Sequence, residues 1–236
     1  MKDIWMEVAG RGCARRVVFS LCVAVTLFAA GCGGNQSLSK DSDTGAETAL
    51  DARVKKGVKP EPDAEVAVIE TANYGRIVIE LYPNVAPGMV ARFKQLIKEG
   101  FYNGMTFHRI DPDLGIIQGG DPLSKDNDPQ NDGIGDSPYP NVPAEFSDIP
   151  YDRGIVGAAR KGGGPGMTEE EAYDSANCQF YITLKRVPHF DGRYTVFGRV
   201  IEGINNADII AGAPVEPETS RPADKIIIKS ITLQKK

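Results

Sequence analysis

The sequence predicts a mainly β protein, a barrel or sandwich whose ends are closed by helices. Three observations lead to this prediction: many short apolar runs of strand length, glycine and proline turns between them, and only two segments with helical spacing. Of the 236 residues, 41% are hydrophobic and 25% charged, which is typical of a globular protein with one good core. These runs lie within residues 63–236, called the body below, which has the size of one domain.

Eight strands and two helices follow one another along the body. It opens with two strand-like runs separated by residues 73–75, a typical hairpin turn. Pro87 suits the first turn of a helix and Gly100 its end, with apolar residues at helical spacing between them. A second short helix is predicted over about 204–210. The predicted strands cover 65–70, 76–82, 106–110, 116–119, 154–159, 179–184, 195–200 and 225–233.

Charge and residue counts exclude several classes of function. The formal net charge of -5 and the lack of a basic stripe in the body argue against a nucleic-acid binder. The body contains His108, His189 and one thiol, Cys178, which are too few for a zinc cluster, and we expect neither a metal nor a cofactor. Because Cys178 has no partner in the body, we predict a small buried apolar residue rather than a disulfide.

The N-terminal residues predict an export signal. Basic residues precede an apolar run over 17–30, which is too short for a comfortable transmembrane helix. The end of this run resembles a bacterial lipobox, in which Cys32 would be lipidated, although Ala29 stands where that motif prefers Leu. We therefore predict a lipoprotein signal peptide over 1–31. A conventionally cleaved signal or an uncleaved anchor is the alternative.

Residues 32–62 are predicted to be the lipidated N-terminus and a flexible tether. From Gly33 onwards the segment is rich in small and polar residues and has almost no large apolar ones. Acyl chains would hold the domain at a membrane surface in the cell envelope without spanning the membrane. Since Gly33 rather than Asp follows Cys32, the periplasmic face of the outer membrane is favoured in a cell with two membranes. The outer leaflet of a single-membrane cell is the alternative.

Three separated segments carry the chemistry of the body. The first joins Phe-His-Arg-Ile at 107–110 to Gln-Gly-Gly-Asp at 118–121, the second is 179–183, and the third is 189–198. In this order and at this spacing they resemble the cyclophilin family of peptidyl-prolyl cis-trans isomerases. The resemblance covers about 66–233. It implies a closed eight-stranded antiparallel β-barrel capped by two α-helices, with the isomerase domain over 63–236.

Proline isomerisation explains why an arginine is needed. The peptide bond resists rotation by about 18 to 20 kcal/mol because resonance gives its C–N bond double-bond character. A fixed guanidinium can donate a hydrogen bond to the prolyl nitrogen as its lone pair leaves conjugation, which favours the twisted transition state. The resemblance assigns this catalytic role to Arg109, and it assigns to Gln118 the orientation of the guanidinium and the binding of substrate backbone.

A small apolar slot must receive the proline ring. The resemblance places Ile116, Tyr181, Phe190 and Tyr194 in this slot, with His189 at its rim. It places Ala159 and Arg160 where the residue preceding proline is received, and the motif residues Phe107 and Gln179 complete the predicted substrate-binding set. The run between Arg109 and Gln118 is one residue longer than is usual in the family, so either Leu114 or Ile116 could line the pocket.

Two long loops depart from the family pattern. Residues 161–178 open with Lys161 and a glycine-rich run and continue with acidic residues, and we predict a flexible insertion beside the groove that could tune substrate choice. Residues 126–133 are rich in oxygen ligands but lack a bidentate Glu at the right distance, so we predict a solvated loop rather than a calcium site.

The sequence therefore predicts a cofactor-free peptidyl-prolyl cis-trans isomerase that assists the folding of exported proteins. Its partners would be proline-containing polypeptides and, through the N-terminal lipid, a membrane; we expect a monomer. The alternative is a catalytically weak module that uses the same groove to bind or assemble proline-containing peptides.

Overall fold

A computed structural model describes residues 49–236 of the chain. Its strands are β1 (Glu65–Thr71), β2 (Arg76–Leu81), β3 (Thr106–Asp111), β4 (Ile116–Gly119), β5 (Ile155–Ala158), β6 (Phe180–Thr183), β7 (Val196–Glu202), β8 (Val215–Glu216), β9 (Arg221–Pro222) and β10 (Ile226–Lys235). Eight of them close into a barrel in the order β1-β10-β3-β4-β6-β5-β7-β2. Every pairing in the barrel is antiparallel, so the predicted fold class is confirmed.

The small ribbon formed by β8 and β9 was not predicted. Its strands have two residues each and pair only with one another. The ribbon lies against β3, because the Ile110 amide donates a 2.7 Å hydrogen bond to the Ser220 carbonyl. Strands of this length carry no periodic pattern that a sequence could reveal.

Helix α1 (Pro87–Lys98) confirms the first predicted helix. Its buried residues share one face of the helix and pack into one mouth of the barrel. Gly100 follows with a φ of 67°, the left-handed conformation in which glycine commonly ends a helix. The buried residues are Met89, Val90, Phe93, Leu96 and Ile97.

Two more helices follow in the body. Helix α2 (Glu169–Tyr173) lies within the 161–178 insertion, where the sequence predicted no helix. A capping box holds the start of α2, since the Thr168 side chain accepts from the Glu171 amide while the Glu171 carboxylate accepts from the Thr168 amide. Helix α3 (Ile204–Ala211) is the second predicted helix.

The N-terminal segment also differs from its prediction as a flexible tether. Within the described part, residues 49–53 are helical and the chain then lies along the body. The Lys55 amide donates a 2.9 Å hydrogen bond to the Phe146 carbonyl, and Arg53 pairs with Asp174 at 2.5 Å. These contacts attach a segment whose composition alone suggested no fold. The predicted signal peptide, Cys32 and the tether up to residue 48 lie outside the described residues.

Two apolar clusters matter for function. The first fills the barrel, where the Phe93, Phe107, Phe180 and Phe197 side chains are fully buried. The second lies outside the barrel against the outer face of β4, β5 and β6, and it contains the aromatic residues of the predicted slot. In residues 49–236, no helix has the length and apolar character that crossing a membrane requires.

Candidate active site

A bulge in β3 turns Arg109 away from the barrel core. Phe107 pairs with Gly119 on β4, whereas Arg109 pairs with Gln118, so an extra residue, His108, is accommodated between them. Both Phe107 and Ile110 therefore face the core, and the Arg109 side chain lies on the outer face. The bulge thus provides the local reason for the exposure of this guanidinium.

Strand register places four positions side by side across this outer face. Arg109 is opposite Gln118, Gln118 is opposite Tyr181 on β6, and Tyr181 is opposite Gly157 on β5. Gly157 is required there because a Cβ at this position would lie 2.5 Å from the Tyr181 ring and 2.7 Å from the Tyr151 hydroxyl. The Tyr181 side chain therefore lies flat across β5.

Hydrogen bonds fix the Arg109 guanidinium from two sides. Its Nη2 donates to Asp111 Oδ2 at 2.6 Å, and its Nη1 lies 3.4 Å from Gln118 Oε1. The Gln118 amide donates in turn to Gln179 Oε1 at 3.0 Å. Gln179 Nε2 donates to the carbonyls of Gly133 and Gly135 at 3.0 and 2.9 Å. This network holds the guanidinium in one orientation.

The predicted slot is a cluster of aromatic rings beside this network. The Phe190 ring centroid lies 4.5 Å from that of Tyr194 and 5.4 Å from that of Tyr181. The Tyr151 ring packs against both of these rings, with its centroid 5.9 Å from that of Tyr181 and 5.6 Å from that of Phe190. Ile116 belongs to the same cluster, and Leu114 packs against it. An apolar slot of this kind suits a proline ring.

The slot and the polar network share one cavity of about 620 Å³. Both Leu114 and Ile116 line it, so the two alternatives left open by the sequence are both realised. Nine of the predicted site residues line this cavity: Arg109, Ile116, Gln118, Ala159, Arg160, Gln179, Tyr181, Phe190 and Tyr194.

Two predicted substrate-binding residues are placed elsewhere. Phe107 is fully buried in the barrel core, and its prediction as a substrate contact is corrected, because the bulge at His108 leaves it on the inner face. His189 is exposed and does not line the cavity; its ring packs edge-on against Phe190 at 4.8 Å. It supports the slot from outside.

Loop residues that the sequence prediction missed complete the cavity. Gly133, Ile134 and Asp136 come from the long loop after β4, Lys161 and Ser175 from the insertion, and Arg221 from the ribbon. These residues are brought to the site by long-range packing. The unusual length of the 126–133 and 161–178 loops is the signal that the sequence offers for these residues, and it does not show that the loops reach the site.

Burial controls the charge of the groups around the cavity. Burial lowers the pKa of His108 to about 4, and neither ring nitrogen has a hydrogen-bond partner among the described residues. Burial, together with the neighbouring Asp121 carboxylate, raises the pKa of Asp132. Cys178 is a buried free thiol whose pKa burial raises to about 12, in agreement with its prediction as a small apolar residue. Residues 49–236 hold no group of three side chains suited to a metal ion.

The barrel and its groove define a class of protein in which an aromatic slot lies beside an oriented arginine on the outer face of the barrel. Comparison with known families identifies it further: the model of the cyclophilin type peptidyl-prolyl cis-trans isomerases matches residues 66–233. The chain belongs to this family, and its activity is peptidyl-prolyl cis-trans isomerisation.

Relatives agree with this assignment. The chain is 39% identical over 174 residues to a probable peptidyl-prolyl cis-trans isomerase of Brucella suis, covering 72% of this chain and 84% of the relative. It is 34% identical over 145 residues to peptidyl-prolyl cis-trans isomerase B of Bacillus subtilis, covering 61% of this chain and 88% of the relative.

A solved structure shares the fold. The crystal structure of a cyclophilin type isomerase from Cryptosporidium parvum superposes with a TM-score of 0.62 at 30% identity, covering 73% of this chain and 98% of that one. A second crystal structure of that isomerase, in the presence of the dipeptide Ala-Pro, also gives a TM-score of 0.62 at 28% identity. The match covers 72% of this chain and 99% of that one.

Proposed function

We propose that this isomerase binds the proline ring of its substrate in the aromatic slot and uses Arg109 as its catalytic residue. The observation that carries the proposal is the position of the guanidinium. It lines the same cavity as Tyr181, Phe190 and Tyr194, and the network through Gln118 holds it there. Gln118 is then the residue that positions Arg109 and offers its amide to substrate backbone.

The proposed chemistry needs no covalent step. When the Xaa-Pro bond twists, the nitrogen lone pair leaves conjugation and becomes a hydrogen-bond acceptor. A guanidinium that is already oriented donates to it more strongly in the twisted state than in the planar one, which lowers the barrier. Each 1.4 kcal/mol of this preference accelerates exchange about tenfold. Arg109 suits this role because a guanidinium stays charged at any physiological pH.

Exchange measurements on an Ala-Pro peptide test the catalytic role of Arg109. We expect the full chain to accelerate cis-trans exchange, measured by NMR, and Arg109→Ala to lose most of that acceleration while remaining folded. Arg199→Ala is the matched control, because Arg199 is exposed on β7 and lies outside the cavity. A parent that binds the peptide without accelerating exchange would instead support the alternative of a proline-peptide-binding module.

We also propose that the enzyme works on exported proteins from a lipid anchor at Cys32 in the cell envelope. The support comes from the N-terminal sequence, where an apolar run ends in a lipobox-like motif followed by a polar segment. Slow proline isomerisation limits the folding of many polypeptides, and exported chains are no exception. In a two-membrane cell the anchor would lie at the periplasmic face of the outer membrane, with proline-containing polypeptides as substrates of a monomeric enzyme.

Labelling with palmitate tests the anchor. The full chain expressed in bacteria should incorporate labelled palmitate and fractionate with membranes, whereas Cys32→Ser should do neither. Cys22→Ser is the control, since Cys22 lies inside the apolar run that would be removed. Equal labelling of the parent and Cys32→Ser would exclude lipidation at this position. Separate inner and outer membrane fractions would report which membrane holds the enzyme.

A further inference from the structure

Arg160 is held rigidly at the edge of the substrate cavity. It follows β5 by two residues, and its guanidinium lies over the Tyr194 ring at 4.4 Å and over the Tyr173 ring at 4.8 Å. Tyr194 belongs to the proposed proline slot, and Tyr173 ends helix α2 in the insertion. Two aromatic faces thus hold one planar cation, an arrangement in which Arg loses little further freedom when a ligand binds.

The other cations of the cavity already have carboxylate partners. Arg109 pairs with Asp111 at 2.6 Å, Lys161 with Asp136 at 2.8 Å and Arg221 with Glu216 at 3.5 Å. Arg160 forms no ion pair within residues 49–236. Its positive charge is therefore the one in this cavity that no described carboxylate neutralises.

Several hydrogen-bond donors of Arg160 are also unused. Its Nε donates to the Arg193 carbonyl and its Nη1 to the Lys161 carbonyl, both at 3.3 Å. A guanidinium has five N–H groups, so three of them, including both on Nη2, have no partner among the described residues. A fixed guanidinium with free donors and an uncompensated charge is suited to binding a carboxylate.

The geometry points to Arg160 as a specificity residue that selects substrates with Glu or Asp immediately before the proline. This inference rests on the proposed binding of the proline ring in the slot that Tyr194 lines. Consecutive Cα atoms lie about 3.8 Å apart, so a side chain next to the ring can reach a guanidinium stacked on the slot wall. A carboxylate there would meet the unused donors of Arg160.

A peptide series that varies only the residue before proline tests the inference. The full chain and Arg160→Gln are compared on N-acetylated, C-amidated peptides with Glu, Gln, Lys or Ala at that position, so that this side chain supplies the only carboxylate. We expect the parent to show a kcat/KM for Glu-Pro roughly three- to tenfold above that for Gln-Pro. This is the gain expected from a charge-assisted hydrogen bond between the substrate carboxylate and a partly exposed guanidinium. In Arg160→Gln this ratio should fall to about one.

Two further variants separate recognition from general electrostatics and from packing. Arg193→Gln removes a neighbouring exposed charge that does not line the cavity, and we expect the Glu preference to persist. Arg160→Lys keeps the charge without the planar fork and should retain only part of the preference. Because each variant is judged by a ratio between two peptides, a general loss of activity through weaker packing leaves the ratio unchanged.

The outcomes distinguish this inference from the proposed function. If the parent accelerates Glu-Pro and Gln-Pro equally, or if the Glu preference survives in Arg160→Gln, the inference is wrong while the isomerase assignment stands. If the folded parent accelerates none of the four peptides, the proposed function fails and this inference fails with it.

Discussion

Arg109 and Asp111, two residues apart on β3, form an ion pair in which Arg109 Nη2 donates to Asp111 Oδ2 at 2.6 Å. The same carboxylate accepts a 2.9 Å hydrogen bond from the Leu114 amide through Oδ1. Asp111 therefore ties the guanidinium to the β3–β4 hairpin, which also carries Leu114 and Ile116 of the slot. The Asp111 side chain is 13% exposed and the Arg109 side chain 39%, so water screens this pair only partly.

Replacing Asp111 should weaken catalysis by loosening Arg109. We expect Asp111→Asn to lower kcat roughly three- to tenfold with a smaller change in KM, because the guanidinium loses a charged partner that fixes its orientation. NMR exchange rates measured over a range of peptide concentrations separate the two constants. Asp113→Asn removes an exposed carboxylate of the same hairpin and should behave as the parent. Equal losses of kcat in both variants would show that the negative charge of the hairpin, rather than the orientation of the Arg109 guanidinium, affects catalysis.

His108 should make the protein less stable in acid. Burial holds its pKa at about 4 in the folded state, below the ordinary value of 6.5. Between these values the unfolded chain binds a proton that the folded chain does not, so the free energy of unfolding falls as the pH falls through this window. From pH 7 to pH 4 this linkage amounts to about 3 kcal/mol.

Urea denaturation at several pH values measures this contribution. The parent should lose about 3 kcal/mol more than His108→Gln between pH 7 and pH 4, because the variant lacks the buried imidazole. His189→Gln removes the other histidine, which is exposed, and should keep the pH dependence of the parent. If the free energy of unfolding changes equally with pH in the parent and in His108→Gln, the pKa of His108 is not lowered.

Gly157 should tolerate no side chain. A methyl group there would approach the Tyr181 ring to 2.5 Å, and Tyr181 is wedged against Tyr151 and Phe190. We expect Gly157→Ala to lower the free energy of unfolding by about 1 to 3 kcal/mol through overpacking, and to weaken peptide binding because the slot wall is displaced. Gly163→Ala is the control, since nothing lies within 4 Å of the Cβ that it would add. A Gly157→Ala protein with parental stability and affinity would show that Tyr181 can move freely.

The barrel and most of the slot could be predicted because their signals are local. Apolar runs marked the strands, Pro87 and Gly100 bounded α1, and the motifs identified nine cavity residues. Phe107 was misplaced because membership of a motif does not say which face a residue occupies, and the bulge at His108 reverses the alternation. Helix α2 did have a local signal, the Thr168-to-Glu171 capping box, which composition obscured.

Contacts between distant segments could not be predicted in this way. The Asp136 side chain reaches the cavity only through packing of the loop after β4, and Arg221 only through the unpredicted ribbon. The clearest case is the pair between Arg53 and Asp174, which are 121 residues apart in the chain. Nothing in the composition of the predicted tether indicates that it has a binding surface on the body.

The Arg53 contact leads to a test of whether the segment at 49–62 stabilises the domain. The Arg53 guanidinium pairs with Asp174 at 2.5 Å and lies 5.9 and 5.8 Å from the centroids of the Phe146 and Tyr173 rings. Its side chain is only 28% exposed, so the pair is better shielded than a surface ion pair. We expect Arg53→Ala to lower the free energy of unfolding by about 1 to 2 kcal/mol, the sum of a partly buried ion pair and cation–π contacts.

Urea denaturation of the full chain checks this value, with Lys56→Ala as the matched control. Lys56 lies in the same segment, but its pair with Asp51 is exposed on both sides, at 60% and 64%, so its loss should change stability little. A double-mutant cycle with Asp174→Asn isolates the ion pair from the aromatic contacts. If Arg53→Ala and Lys56→Ala both unfold at the urea concentration of the parent, the segment adds no stability and behaves in solution as the tether that its composition suggested.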